Sequence, residues 1–347
     1  MLVLVAHCLL PLIFCLGMIR VQTGSRLHFG LFNLPFDEEG GKSSGRAGTM
    51  RRYYGGAGMM IEAPEIAIIS APASQWSAEG PLAERALAFA REMERALPNV
   101  TIPSQHLRIE ACPPEHMGLG TGTQLGLAVA RALSTACGLP EFTPPQLACS
   151  VGRGTRSALG THGFAHGGFL IEAGKRRAHE ISPLVSRVSV PETWRIVLVL
   201  RLDERGLHGA QEREAFQKLQ NADRANSARD ALCRLVLLEM LPALLETDLK
   251  AFGEAVHEFN RQAGIIFASV QQGPYADARA AEVIEYIRAQ GIAGAGQSSW
   301  GPTVFALAES QEQADWLAIR IRQQFGLPKN EVLATPPSNH GAQVFLL

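Results

Sequence analysis

Apolar residues recur along this chain with two different spacings. Runs that alternate apolar with polar residues, or that are continuously apolar, predict β-strands. These runs lie at 18–30, 59–61, 66–70, 106–111, 169–171, 194–200, 304–307, 331–335 and 342–346. Apolar residues spaced by three or four predict amphipathic helices. These cover 82–97 (with Arg85 on an exposed face), 125–138, 210–221, 228–246, 248–263, 277–290 and 311–325, and a glycine- and charge-rich stretch at 35–52 predicts a mobile loop. The mixture predicts an α+β protein.

The segment 114–124 joins a predicted strand to a predicted helix and has the sequence PEHMGLGTGTQ. Its glycines allow a backbone to approach an anion, and the unpaired N–H groups of the following helix start attract negative charge. We therefore predict a phosphate site, with an ordinary tight turn as the alternative. No Gly-x4-Gly-Lys-Ser/Thr sequence and no acidic ribose partner accompany the loop, which argues against the classical P-loop and Rossmann folds.

A second glycine loop at 152–160 carries Arg153 and Arg156. Guanidinium groups bind phosphate or carboxylate oxygens in a bidentate manner, so we predict an anion clamp; two solvated surface arginines are the alternative. His162 and His166 follow with the spacing of a helical metal pair. The glycines that surround them argue against a metal site there.

Two further groups of polar residues stand out. Ser25, Arg26 and His28 lie near the end of the first predicted strand and could bind a carboxylate or sugar hydroxyls; an edge strand with exposed polar residues is the alternative. A third glycine-bounded loop, 294–303, contains Gln, two Ser and Trp in a row. We expect it to contribute to a binding site, with a simple hairpin as the alternative.

Composition and charge describe a globular chain without a strongly charged surface. It has 347 residues, 32 Lys and Arg, 33 Asp and Glu, and a net charge of −1. We therefore expect neither a nucleic-acid nor a membrane partner, and the length predicts two domains. The six cysteines lack zinc-like spacing and predict buried thiols in a reducing compartment, the cytoplasm.

Residues 1–17 are almost wholly apolar. They lack the basic start and the small-residue cleavage site of a signal peptide, and they are short for a membrane span. Because a strand pattern begins at Met18, we interpret 1–17 as an extension outside the native protein and Met18 as the natural start.

Three motifs, in order, resemble those of the galactokinase, homoserine kinase, mevalonate kinase and phosphomevalonate kinase (GHMP) superfamily. They are Pro-x3-Gly-Leu-Gly-Thr-Gly from Pro114, the glycine pair at 167–168, and Gly-x-Gly-Gln-Ser-Ser-Trp-Gly from Gly294. The resemblance covers residues 18–347. It implies a two-domain α+β fold, with a phosphate-binding half like ribosomal protein S5 at 18–192 and a ferredoxin-like half at 193–347.

Five segments (25–30, 54–58, 118–124, 152–157 and 296–303) are similar, more narrowly, to the β-ribofuranosylaminobenzene 5'-phosphate synthases of methanopterin biosynthesis. Kinases of the superfamily carry an Asp seven positions before the glycine pair, where this chain has Gly160. No carboxylate occurs between Val151 and Leu170, and we expect no nearby Asp or Glu to replace it. The expected kinase base is therefore missing.

The resemblance implies a decarboxylating pentosyltransferase. Phosphoribosyl pyrophosphate would react with 4-aminobenzoate or 4-hydroxybenzoate, with release of carbon dioxide and pyrophosphate, assisted by Mg²⁺. The resemblance also implies a cytoplasmic enzyme that forms a homodimer. An ATP-dependent small-molecule kinase and a non-catalytic metabolite-binding protein are the alternatives.

The site residues follow from these motifs as interpretations. His116, Gly118, Gly120, Thr121, Gly122, Thr123 and Gln124 are expected to bind pyrophosphate. His28, Arg153 and Arg156 are expected to be catalytic, with the two arginines holding the 5'-phosphate or the benzoate carboxylate. Ser25 and Arg26, with His28, are expected to bind the aromatic acid, and Gln297, Ser298, Ser299 and Trp300 to close the pocket. The sequence does not identify the metal ligands.

Overall fold

The computed structural model describes residues 17–32, 52–177, 179–201, 225–268 and 273–347. Residues 1–16, nearly all of the predicted loop at 35–52 and the predicted helix at 210–221 lie outside these ranges. Two β-sheets and the helices packed on them make up the described part of the chain. The predicted α+β class is therefore confirmed.

The first sheet has seven strands and carries four helices. The strands are β1 (Ile19–Leu31), β2 (Gly56–Pro72), β3 (Ser77–Glu79), β4 (Gln105–Ala111), β5 (Phe169–Glu172), β6 (Leu184–Val188) and β11 (Gln343–Leu346). Their order is β11-β1-β2-β4-β3, with β5 paired to the first residues of β2 and β6 paired to β5. The helices are α1 (Ala83–Ala96), α2 (Thr121–Ala136), α3 (Pro144–Ser150) and α4 (Leu159–His166). Their apolar sides share a buried core with β1, β2 and β4.

Two predicted strands, 59–61 and 66–70, are one strand in the structure. β2 continues through the polar residues between them and pairs with β1 on both sides of a register shift between Thr23 and Ser25. Gly24 makes the shift possible, since a Cβ there would lie 1.9 Å from the carbonyl oxygen of Ile61. The prediction of two separate strands was wrong because a β-bulge absorbs the irregular residues without ending the strand.

The second sheet has four antiparallel strands in the order β10-β7-β9-β8. These are β7 (Arg195–Val199), β8 (Ala295–Gln297), β9 (Val304–Ala308) and β10 (Val332–Thr335). The helices of this half are α5 (Ala225–Leu235), α6 (Leu241–Leu245), α7 (Leu249–Ile265), α8 (Ala278–Ala289) and α9 (Gln311–Phe325), with a π-helical segment at Val236–Met240 between α5 and α6. The helices predicted at 228–246, 248–263, 277–290 and 311–325 are confirmed.

A buried aromatic cluster connects the two sheets. Phe29 of β1 lies 5.1 Å, between ring centres, from Phe305 of β9, and Phe169 of β5 lies 5.6 Å from Phe252 of α7. The last strand, β11, pairs with β1 of the first sheet, although it follows the second sheet in sequence. A shared apolar core therefore holds the two halves together. The predicted domain boundary at residue 192 stays a prediction.

Within the described ranges, no helix has both the length and the apolar character that a membrane crossing requires. Four cysteines fall in these ranges, all as free thiols. Cys149 and Cys233 are exposed, so the expectation that the cysteines are buried was wrong for these two.

Candidate active site

A cavity of about 580 Å³ lies where the two halves meet. Its wall is formed by the end of β1, the start of α2, the loop before α4, the end of α7 and the loop between β8 and β9. Each of the three glycine loops identified in the sequence therefore contributes to one concave site.

The first glycine loop turns sharply into α2. Gly118 and Gly120 have φ of +84° and +75°, a left-handed conformation that glycine adopts at little cost. Gly120 caps α2 without a side-chain hydrogen bond, and the first turn holds no acidic residue. The first N–H groups of a helix have no acceptor one full turn back. The Thr123 N–H donates to the Gly120 carbonyl at 2.9 Å, which leaves the N–H groups of Thr121 and Gly122 at the cavity. The helix start is therefore available to an anion.

Hydrogen bonds hold the first and third loops against the second half of β1. The Arg26 N–H donates to the Leu119 carbonyl at 2.8 Å, and the Ser299 N–H donates to the His28 carbonyl at 3.0 Å. The Ser298 hydroxyl donates to the Gly118 carbonyl at 2.7 Å and accepts from the His28 N–H at 3.0 Å. β1 is therefore not an exposed edge strand, and that alternative was wrong.

Four arginines line the cavity: Arg26, Arg85, Arg153 and Arg156. In the first three, the buried Nε atom has no hydrogen-bond acceptor within the described part of the chain. Burial lowers the pKa of Arg26 to about 10 and also lowers that of Arg153, and both remain protonated at neutral pH. Buried guanidinium groups without acceptors favour an anionic ligand.

Glu115 is the only carboxylate that lines the cavity among the described residues. Its Oε1 lies 3.6 Å from Arg85 Nε. A Cβ on Gly122 would lie 2.9 Å from that oxygen and 3.0 Å from Arg153 Nη2. Glu115 and Arg153 thus flank the start of α2, and four positive side chains face one negative one.

Part of the cavity lining is apolar and aromatic. The rings of Phe267 and Trp300 are 4.2 Å apart between centres, at an angle of 69°. Leu31, Ala263 and Pro274 line the same wall. A surface of this kind fits the face of an aromatic ring. The loop at 298–303 is therefore both a hairpin connection, between β8 and β9, and part of the cavity wall.

Thirteen of the sixteen predicted site residues line the cavity: Arg26, His28, His116, Gly118, Gly120, Thr121, Gly122, Thr123, Arg153, Arg156, Gln297, Ser299 and Trp300. Ser25, Gln124 and Ser298 do not, and all three side chains are fully buried. The two-residue period of a strand places Ser25 on the face opposite Arg26 and His28, where its hydroxyl donates to the Pro64 carbonyl at 2.6 Å. Gln124 connects α2 to α4 through the Gly160 carbonyl, at 2.8 Å. The binding role predicted for these three residues is corrected to a structural one, because their polar groups are used within the fold.

Sequence reasoning missed Arg85 and assigned it to an exposed helix face. Its guanidinium carbon lies 4.8 Å from the ring centre of buried Phe89, and that of Arg153 lies at the same distance. The signal was available, since Arg85 is four residues before Phe89 and therefore shares its face of α1. It was overlooked because a long basic residue on an amphipathic helix is usually solvated.

Sequence reasoning also missed Glu172, a carboxylate close to the second loop. Glu172 stands two residues beyond the interval considered and is fully buried. It accepts hydrogen bonds from the Ser157 hydroxyl at 2.5 Å and from the Ala158 N–H at 2.8 Å. Burial raises the pKa of its carboxyl to about 7, against the opposing effect of these hydrogen bonds. Glu172 does not line the cavity.

His28 reaches this carboxylate through Ser157. Its Nε2 lies 3.2 Å from Ser157 Oγ. Burial, and secondarily the charge of Arg26, holds the pKa of His28 well below its usual value, so the ring is neutral at pH 7. His162, of the pair with metal-like spacing, has its Nε2 2.7 Å from the Ser182 carbonyl oxygen, and the described ranges contain no group of three side chains that could hold a metal ion.

Relatives and solved structures agree with this architecture. A family model described as GHMP kinases C terminal matches residues 240–325. The structure of mevalonate diphosphate decarboxylase from Staphylococcus aureus has a TM-score of 0.65 at 14% identity and covers 95% of this chain and 98% of that one. That of a putative homoserine kinase from Listeria monocytogenes has a TM-score of 0.61 at 17% identity, over 94% and 99%. These likenesses show the fold.

Curated relatives extend the match over nearly the whole chain. The beta-ribofuranosylphenol 5'-phosphate synthase of Methanothermobacter thermautotrophicus is 30% identical over 93% of this chain and 97% of its own length. The synthase of the same name from Archaeoglobus fulgidus is 29% identical over 94% and 99%. The chain is an enzyme of the GHMP kinase fold and belongs to the beta-ribofuranosylphenol 5'-phosphate synthase family.

Proposed function

We propose that this protein joins the anomeric carbon of phosphoribosyl pyrophosphate to the ring of 4-hydroxybenzoate, releasing carbon dioxide and pyrophosphate, in tetrahydromethanopterin biosynthesis. The phenol in the relatives' name favours the hydroxy acid over 4-aminobenzoate. The observation that carries the proposal is the composition of the cavity lining, which combines four arginines and a helix start with the aromatic pair Phe267 and Trp300. These two kinds of lining match the two substrates.

The pyrophosphate leaving group fits the start of α2. As the bond to the anomeric carbon breaks, negative charge grows on the departing oxygen and positive charge grows on the ribose. The N–H groups of Thr121 and Gly122, with Arg153 beside them, stabilise this charge more in the transition state than in the ground state. Arg26 and Arg156 remain for the 5'-phosphate and the benzoate carboxylate.

The aromatic acid fits the wall formed by Phe267 and Trp300. A ring stacked there is held in one orientation and shielded from water, which protects the cationic ribose from hydrolysis. The ring carbon that bears the carboxylate attacks the anomeric carbon. Loss of carbon dioxide then restores the aromatic ring.

The residues present fit a Mg²⁺ ion that arrives with the pyrophosphate. Mg²⁺ commonly binds through one or two carboxylates together with substrate phosphates and water. Glu115 would provide the carboxylate, and the hydroxyls of Thr121 and Thr123 lie on the same wall. When bound, the ion would neutralise charge on the leaving group. A neighbour of the same fold, with a TM-score of 0.65 at 13% identity, was solved in complex with MVAPP, AMPPCP and magnesium.

The kinase alternative is disfavoured at position 160, where kinases of the superfamily carry their Asp base and this chain has Gly160. A Cβ on Gly160 would lie 3.2 Å from Thr123 Cγ2 and 3.3 Å from Gln124 Nε2. α4 packs closely against α2 here, so a carboxylate side chain would not fit without displacement. Glu172 does not replace it, because Ser157 and the start of α4 hold its oxygens outside the cavity.

The proposal is tested by incubating the protein with phosphoribosyl pyrophosphate, Mg²⁺ and carboxyl-labelled 4-hydroxybenzoate or 4-aminobenzoate. Labelled carbon dioxide and pyrophosphate should be released in equal amounts, faster with the hydroxy acid. Faster release from the amino acid would reverse the choice of substrate. If neither acid released carbon dioxide and the protein consumed ATP in a parallel screen of small alcohols, the kinase alternative would be favoured.

A further inference from the structure

A chain of three side chains runs from the protein interior to the cavity. Glu172 lies at the buried end of β5, Ser157 is in the middle, and His28 stands on β1. The Ser157 hydroxyl donates to Glu172 at 2.5 Å, and His28 Nε2 is 3.2 Å from Ser157 Oγ. Ser157 and His28 line the cavity, and Glu172 does not. The pyrophosphate site, built from other residues, makes no use of this chain.

The hydrogen bonds determine which nitrogen of His28 carries the proton. A serine hydroxyl has one hydrogen, and when Glu172 is ionised that hydrogen is directed to the carboxylate, so Ser157 Oγ can only accept from the imidazole. Nε2 therefore carries the hydrogen, and Nδ1 keeps a lone pair. Nδ1 has no hydrogen-bond partner in the described ranges. The neutral ring of His28, a lining residue of the cavity, thus keeps Nδ1 as its proton acceptor.

The proposed reaction gains from such an acceptor when the acid carries a hydroxyl. As the ring carbon bonds to the anomeric carbon and the bond to pyrophosphate breaks, positive charge spreads to the hydroxyl in the para position. Transfer of that O–H proton during the attack gives a neutral dienone in place of an oxygen-centred cation, which lowers the barrier to forming the carbon–carbon bond. The bond to the carboxylate then breaks, its electron pair restores the aromatic ring as a phenolate, and the proton returns. The hydroxyl of the cationic ring is a strong acid, so a weak base is sufficient.

We propose that His28 takes this phenolic proton at Nδ1 and returns it after decarboxylation, and that Glu172 is a positioning residue that selects the required tautomer through Ser157. The inference rests on the proposed function. The charged groups around the imidazole are Arg26 on β1 and Glu172 on β5. With 4-aminobenzoate the nitrogen lone pair supplies the same electrons, and no proton needs to leave before decarboxylation.

Substrate analogues separate this role from a structural one. In 3,5-difluoro-4-hydroxybenzoate the hydroxyl is already ionised at neutral pH, so its reaction needs no acceptor. We expect His28→Gln to lower kcat with 4-hydroxybenzoate by about 100-fold or more. Relative to wild type on the same substrate, it should lower kcat by about tenfold or less with the difluoro acid and with 4-aminobenzoate. Glu172→Gln should also lower kcat more with 4-hydroxybenzoate than with the other two acids, by smaller factors than His28→Gln.

His106 supplies a matched control. Its Nδ1 lies 2.8 Å from Ser77 Oγ and its Nε2 3.6 Å from Glu79, a similar trio outside the cavity. His106→Gln should leave all three substrates unaffected. Equal losses for His28→Gln on all three acids would overturn the inference and leave the proposed function standing, whereas a wild-type protein that releases no carbon dioxide would overturn the proposed function itself. If His28→Gln does not fold, Ser157→Ala decides the question by the same substrate ratios.

Discussion

At the scale of single residues, the site combines arginines that keep an unpaired Nε with a hydrogen-bonded trio of Glu172, Ser157 and His28. Arg26, Arg85 and Arg153 each keep a buried Nε without an acceptor within the described ranges. Such an arrangement costs folding free energy that an anionic ligand recovers when it binds. Glu172 and His28 are buried as well, and both are hydrogen-bonded to Ser157, His28 through Nε2. The arginines therefore contribute affinity, and the buried trio contributes orientation.

Arg153→Ala removes the guanidinium that flanks the start of α2. We expect kcat/KM for phosphoribosyl pyrophosphate to fall by roughly 30-fold to several thousand-fold, equivalent to about 2 to 5 kcal/mol, because a desolvated charge pair is lost. Steady-state kinetics with pyrophosphate release as the readout measure this. Arg91→Ala, on an exposed position of the neighbouring α1, is the control and should behave like wild type. A loss confined to a few-fold would remove Arg153 from the pyrophosphate site.

Glu172→Gln tests the raised pKa of the buried carboxyl. The folded protein holds its proton up to about pH 7, whereas an unperturbed glutamate loses it near pH 4.5. The stability from this group is therefore fully present below pH 4.5 and is lost as pH rises through 7. The free energy of unfolding of wild type minus that of the variant should fall by roughly 2 to 3 kcal/mol between pH 4.5 and 8. Denaturant titrations across that range provide the values, and a constant difference would contradict the assignment.

At the scale of elements, the site depends on two loops that touch backbone to backbone. A Cβ on Gly118 would lie 2.2 Å from the Ser298 carbonyl oxygen, and one on Gly301 would lie 2.2 Å from the Gly118 nitrogen. The first loop therefore fits only against the third, although 180 residues separate Ser298 from Gly118. Together they place the start of α2 at the end of β1.

Gly118→Ala should disturb both loops. The left-handed φ and the contact with Ser298 together should cost roughly 2 to 5 kcal/mol of unfolding free energy and weaken pyrophosphate binding. Gly138→Ala, just beyond the other end of α2, is a matched control, because its φ is +60° and a Cβ there meets nothing within 4 Å. That variant should cost about 1 kcal/mol and leave binding intact. Equal costs, measured by denaturant unfolding and calorimetric titration, would show that the loop contact is unimportant.

At the scale of the whole molecule, the cavity belongs to both halves. The first sheet and its helices provide the arginines and the helix start, while α7 and the β8–β9 loop provide the aromatic wall. Asn260 of α7 ties them together, since its amide donates to the Phe29 carbonyl at 2.6 Å and to the Gln297 carbonyl at 2.8 Å. A ligand in the cavity should therefore stabilise the two halves as one unit.

Pyrophosphate should raise the melting temperature of the whole molecule. At a concentration 100-fold above its dissociation constant, a ligand that binds only the folded state adds about 2.7 kcal/mol. Differential scanning calorimetry with Mg²⁺ present should show one transition that moves upward, and the shift should shrink in Arg153→Ala. Two transitions, with only one of them shifted, would show that the ligand contacts one half alone.

The sequence by itself determined most of the longer helices and strands, the three glycine loops and their family resemblance, because these depend on local periodicity, on backbone conformations that favour glycine, and on motifs contiguous in the chain. Only the tertiary structure decided which polar residues face the cavity. Ser25 and Gln124 were expected there but are used inside the fold, while Arg85 and Glu172 reach the site or its supporting trio from positions that looked ordinary. Whether a side chain points to a ligand depends on which surfaces meet across the fold, and those contacts join residues far apart in sequence.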